Sequence, residues 1–292
     1  CEALTLRGDM YAKTKKEAEA LMDFDRVIAR WPKAESAAAA WQRAAQIYAG
    51  RQDMANMAKY YEGLIQNFPK ASPAALAEAH FLLGRAAFDQ GDFKSSISHM
   101  AEAKTLDPQK YGEQVNVLSV LSYHKLQDMN KLKEALETLQ KENPSAVARV
   151  PDVIPAWLGL QAYGMKDLET ADKYMTWATQ NDQLQNVKKV IWRNLAKVRL
   201  ALRKYDRALV ASNNFLKDED QPYRRADGML DKASILLGLG KYADARKTAE
   251  DALALGVEGP LMASLKIVLG DISYAEKKFD EAAKHYGRAV CQ

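Results

Sequence analysis

Residues 80–108 read HFLLGRAAFDQGDFKSSISHMAEAKTLDP, and this stretch decides the fold. Gly84 is a small residue inside a helical pattern. Ser96 follows it twelve positions later, with Phe93 three before Ser96 and Met100 four after it. Gly91-Asp92 stands between the two patterns and supplies a tight turn. Pro108 closes the stretch, because proline cannot continue a helix. The segment reads as helix, turn, helix and stop.

Working outward, the same arrangement recurs. Gly8, Ala45, Gly84, Val120, Gly159, Ala196, Ala233 and Gly270 are separated by 37, 39, 36, 39, 37, 37 and 37 residues. Twelve residues after each stand Ala20, Met57, Ser96, Leu132, Ala171, Ala208, Ala245 and Ala282. Bulky apolar residues precede most of this second column by three positions: Met54, Phe93, Met129, Leu168, Tyr205, Tyr242 and Phe279. Columns in register over eight copies mean an internal repeat. Small residues let two helices approach closely, and large ones fill the adjoining gaps. Gln127-Asp128, Lys166-Asp167 and Gly240-Lys241 repeat the turn, and Pro32, Pro69 and Pro144 repeat the stop. Each unit is expected to be two helices of about 14 residues, and no alternating strand pattern appears.

The pattern resembles the tetratricopeptide repeat. Leu83-Gly84, Gly91-Asp92-Phe93, Ser96, Met100, Ala103 and Asp107-Pro108 carry the resemblance best. Trp41, Ala45, Tyr48, Tyr61 and Pro69 make a second copy, and Gly8, Tyr11, Ala20, Phe24 and Pro32 a third. The sixth unit departs, with Arg199 where the family usually has Tyr, and the last four units lack the terminal Pro. The resemblance implies an all-α, right-handed superhelical solenoid of antiparallel helix pairs. It would run as one array over residues 1–292, with units starting near 1, 38, 77, 113, 152, 189, 226 and 263. The period exceeds the family's usual 34 by about three residues, and the phrases Trp31-Pro32-Lys33 and Phe68-Pro69-Lys70 are placed in the extra segment. Those phrases resemble connections in bacterial cell-envelope members of the family. With Cys1 they point toward the periplasm or envelope, leaving the cytoplasm open.

Composition narrows the function. Forty-two basic against 38 acidic residues give a net charge of +4, too slight a bias for nucleic acid. No apolar run reaches the 18 or so residues of a membrane span. Two cysteines exclude a disulfide framework, and a Cys1–Cys291 bridge would have to join the two ends of a stack. No phosphate loop, nucleophile elbow or metal-ligand spacing occurs, and His80, His99, His124 and His285 are scattered. A non-enzymatic chain without cofactor or metal is expected.

The family resemblance implies that the first helix of each pair lines a concave groove. Positions three before, one after and four after each first-column residue would then face that groove, one stripe of a helix. This selects Gln42 and Gln46, then Phe81, Arg85 and Phe88, then Leu121 and His124, then Tyr163, Arg193, Lys197 and Tyr274 as candidate peptide-binding residues. The Leu and Val members of the stripe are equally readable as core, whereas Phe88 and Tyr163 are read as facing the groove. Lys189, Arg193 and Lys197 recur every four residues, and such like charges repel. Either Asp227 and Asp231 of the next unit compensate them, or an acidic ligand or free carboxylate does. The family's chaperone clamp of Lys and Asn is not matched here.

The expected function is a scaffold or adaptor holding a protein or peptide segment, with assembly of an envelope complex as its setting. Two other readings stay open: an accessory solenoid of a longer enzyme or secretion component, and a self-associating structural module.

Overall fold

In the computed structural model, residues 1–180 and 185–290 are described, with backbone alone for 185–187 and 290. Cys291, and with it any pairing to Cys1, lies outside the described residues. Among these residues every regular element is helical. The helices gather into two compact units, Cys1–Val150 and Pro151–Gln292. The first holds four pairs: α1 (Glu2–Lys13) with α2 (Glu17–Arg30), α3 (Glu35–Gly50) with α4 (Met54–Asn67), α5 (Pro73–Asp89) with α6 (Phe93–Leu106), and α7 (Pro108–Lys125) with α8 (Met129–Glu142). A 3-10 turn, Pro144–Arg149, follows α8. The second unit holds α9 (Val153–Gly164) with α10 (Leu168–Ala178), α11 (Gln185–Ala201) with α12 (Tyr205–Lys217), α13 (Pro222–Gly238) with α14 (Tyr242–Leu253), and α15 (Gly259–Ala275) with α16 (Phe279–Val290).

The turns explain the repeat. Lys15, Gln52, Gly91, Gln127, Lys166, Arg203, Gly240 and Lys277 occupy one equivalent position, and all have φ between 55° and 84°. The next residue's N–H bonds back to the carbonyl five positions earlier, as Asp92 does to Ala87 at 2.9 Å and Lys204 to Arg199 at 2.8 Å. This left-handed cap satisfies carbonyls that the helix end would otherwise leave bare. Asp53, Asp92, Asp128 and Asp167 then cap the second helix by accepting from the backbone N–H three residues on. One dipeptide thus ends a helix and starts the next.

The extra residues of the long period sit in the first helices. Apart from α1 and α9, these run 16 to 18 residues rather than the expected 14 or so. Trp31-Pro32-Lys33 and Phe68-Pro69-Lys70 are ordinary connections instead. The added turn is stabilised by burial, because Ala37 and Ala40 of α3 and Ala75 and Leu76 of α5 extend the apolar face.

The core runs along the small-residue columns. Ala20, Phe24, Ala44, Ala45, Met57, Tyr61 and Leu64 form its first part in the first unit. Ala233, Ala245, Ala249, Leu265 and Ile272 do the same in the second. Polar pairs lock particular neighbours. Arg199 of α11 reaches Asp172 of α10 at 2.7 Å, and Lys204 reaches the other Asp172 oxygen at 3.0 Å. Burial pushes the Asp172 carboxyl up, but these two hydrogen bonds outweigh it and hold it below its ordinary value. Arg199 thus replaces the family's Tyr with a buried ion pair.

Candidate functional site

The first helices of neighbouring pairs touch one another, α1 with α3 and α11 with α13 and then α15. The candidate stripe runs along these helices, in part at those very contacts. Turn by turn, the structure divides these residues into committed and free.

Gln42 and Gln46 are committed. Their amides donate to the two oxygens of Glu78 at 2.7 and 2.9 Å, and the Tyr61 hydroxyl donates to the same carboxylate at 3.2 Å. Burial and the Glu78 charge hold the Tyr61 phenol well above its ordinary value. The sequence stripe omitted Glu78, since it falls outside the three chosen positions.

Arg193 and Lys197 are committed too. Arg193 pairs with Asp227, and Lys197 stands 3.7 Å from Asp231. Lys189 donates to the Asp218 carbonyl. Burial pushes the Asp231 carboxyl up despite Lys197 and Arg193. Within the protein, Arg193 and Lys197 are therefore answered by acids and Lys189 by a carbonyl.

The third and fourth pairs differ. Phe81 is buried and stacks on Tyr111, ring centroids 4.6 Å apart, so it belongs largely to the core. Phe88 is half-buried, edge-on to Phe93 at 5.4 Å. Arg85 is exposed and makes no ion pair or hydrogen bond among the described residues. Between α5 and α7 lies a hollow of about 380 Å³. Phe81, Phe88, Val117, Leu118 and Leu121 give its apolar walls, and Arg85, Arg149 and Asp89 its charges. Arg149 comes from the 3-10 turn and also holds Glu113 at 2.6 Å. Nothing in the repeat columns pointed to Arg149, because that turn interrupts their spacing.

The other candidates stand apart from this hollow. His124, at the end of α7, is half-buried, and burial followed by the Lys125 charge lowers its pKa. Tyr163 is half-buried on α9 of the second unit. Tyr274 on α15 is 61% exposed and lies edge-on to the equally open Phe279 at 5.4 Å. Cys1 is a free thiol 2.5 Å from the Ser36 hydroxyl. No cluster of three or more metal-ligating side chains occurs among the described residues, and none of their helices is long and apolar enough to cross a membrane.

Comparison with known families agrees with the helix-pair geometry. One tetratricopeptide repeat model matches residues 2–34 and 39–71, and another matches 74–111 and 230–292, together more than half of the chain. The chain is a tetratricopeptide-repeat protein. No curated protein matches it by sequence. Among solved structures, this repeat protein is similar to PilF of Pseudomonas aeruginosa, at 18% identity and TM-score 0.36 over 73% of this chain and 90% of that one. It is also similar to PilW, a type IV pilus biogenesis factor, at 14% identity and TM-score 0.41 over 74% and 93%. The TPR2AB-domain–pHSP90 complex of a yeast protein matches at 14% identity and TM-score 0.44 over 99% and 97%. Tetratricopeptide repeats imply a protein-interaction scaffold, typically without catalysis of its own.

Proposed function

We propose that this repeat protein is an adaptor that holds a segment of another protein against its first helices, anchored in the hollow between α5 and α7. The observation that carries the reading is the pairing of an apolar recess with an unanswered guanidinium, Arg85. The apolar walls of the recess offer a place for a partner's bulky side chain. A neighbouring carboxylate on the partner would bind Arg85 in bidentate fashion. Arg149 already holds Glu113, so Arg85 is the guanidinium of the lining left to meet a carboxylate on the ligand. On α11, Arg193 and Lys197 already face Asp227 and Asp231.

The test is selection from a random peptide library on the full chain. Recovered peptides should carry a bulky apolar residue beside Asp or Glu. Arg85→Glu should weaken them about tenfold to a hundredfold, the worth of a charged hydrogen bond, while Arg193→Glu should leave their affinity within about twofold. Peptides that bind Arg85→Glu as well as wild type would refute the anchor.

A further inference from the structure

Two imidazoles meet inside the third repeat. His80 lies on α5 next to Phe81, and His99 lies on α6 next to Met100. Their Nδ1 atoms are 3.0 Å apart and their ring centroids 5.2 Å. Both rings are half-buried. A bond between two imidazole nitrogens needs one N–H and one lone pair, so at least one ring must be unprotonated at that atom. One proton can be added with the bond retained. A second puts two N–H groups and two positive charges face to face.

The surroundings fix how the pair responds. The charged groups facing it are Glu62 from α4, Asp92 at the cap of α6, and Glu102 on α6. These carboxylates favour a proton on the pair, but burial outweighs them and lowers the pKa of both rings. His99 also sits where α5 and α6 run close together: a Cβ on Gly84 would lie 3.1 Å from the His99 Cβ. Repulsion at this point acts on the helix that carries Phe81, Arg85 and Phe88, and Phe88 itself rests on Phe93 of α6.

We propose that His80 and His99 form an acid-sensitive latch, which holds α5 on α6 while the pair carries at most one proton and releases it when a second binds. Release would dismantle the hollow between α5 and α7. That consequence rests on the binding reading above, whereas the latch itself rests on the imidazole geometry.

The experiment uses the full chain and His99→Gln, which keeps a neutral hydrogen-bonding partner for His80 but cannot be protonated. Urea unfolding and hydrogen exchange of α5 are followed from about pH 7.5 to about pH 5, across the ordinary histidine pKa of about 6.5. The unfolded chain takes two protons there and the latched pair one. Below about pH 6 the wild-type folding constant should therefore fall about tenfold per pH unit more steeply than that of His99→Gln. In the wild type, NMR should show the second ring protonating only as α5 amides lose protection. Parallel pH dependence of wild type and variant would overturn the latch, as would two rings titrating independently with α5 still protected. Should His99→Gln fail to fold, His80→Gln and the wild-type titration decide the same question. A selected peptide released by acid from wild type but not from the variant supports both proposals. A latch seen without any peptide effect sinks the binding reading alone.

Discussion

Gly159→Ala and Gly112→Ala are the same chemical change, yet the structure gives them opposite signs. A Cβ at Gly159 would lie 2.7 Å from the Met175 Cγ and 2.9 Å from the Met175 backbone nitrogen. The side chain can swing aside. The backbone nitrogen cannot, because α10 carries it, and it is about half an ångström inside the ordinary contact of 3.4 Å. Relief requires α9 and α10 to separate. Overpacking of this kind costs about 1–3 kcal/mol, and the better helix propensity of Ala returns about 1 kcal/mol. The net expectation is a loss of up to about 2 kcal/mol. At Gly112, inside α7, nothing lies within 4 Å of the added carbon. There only the propensity and entropy terms remain, and a gain of about 0.5–1 kcal/mol is expected. Urea unfolding of the full chain measures both. Hydrogen exchange of α7 and α9 assigns each effect to its helix, which matters if the two compact units unfold separately. A Gly159→Ala chain that gains stability as Gly112→Ala does would refute the claim that close backbone approach dictates Gly159. Ala45, Ala196 and Ala233 stand at the same column position in other units.

Two further expectations follow from the turns and the buried pair. Gln52 holds φ at 59°, a conformation costing a non-glycine residue about 1 kcal/mol or more, so Gln52→Gly should raise the denaturation midpoint; an unchanged or lower midpoint counts against the strain. Arg199 and Asp172 side chains are each 9% exposed, and Arg199→Ala should cost about 3–5 kcal/mol by leaving Asp172 short of a partner. Because the folded Asp172 carboxyl is held below its ordinary value, this stabilisation is present above about pH 4 and is lost as pH falls through the folded pKa. The wild-type advantage over the variant should therefore shrink in acid, and a gap that stays constant down to about pH 2 would contradict the pairing.

The sequence by itself determined the repeat. Gly84, Ser96 and Met100 recur in register because each copy must bring two helices together at the same depth, and that requirement is local to the unit. The turns were legible for the same reason. Gly91-Asp92 and Lys166-Asp167 share a backbone shape although only one pair contains the residue that adopts it without strain. The stripe positions were legible as a face of each first helix, but their fate was not.

Only the tertiary structure decided which stripe residues remain available. Gln42 and Gln46 end on Glu78, and Arg193 and Lys197 face Asp227 and Asp231. Arg85, equivalent by spacing to Lys197, has no such acid opposite it. A charge's availability depends on the neighbouring helix a full repeat away, and the periodicity is blind to it because it describes one helix at a time. The His80–His99 contact is hidden for a related reason. Nineteen residues separate the two rings in sequence, and only the antiparallel packing of α5 on α6 brings their nitrogens within a hydrogen bond.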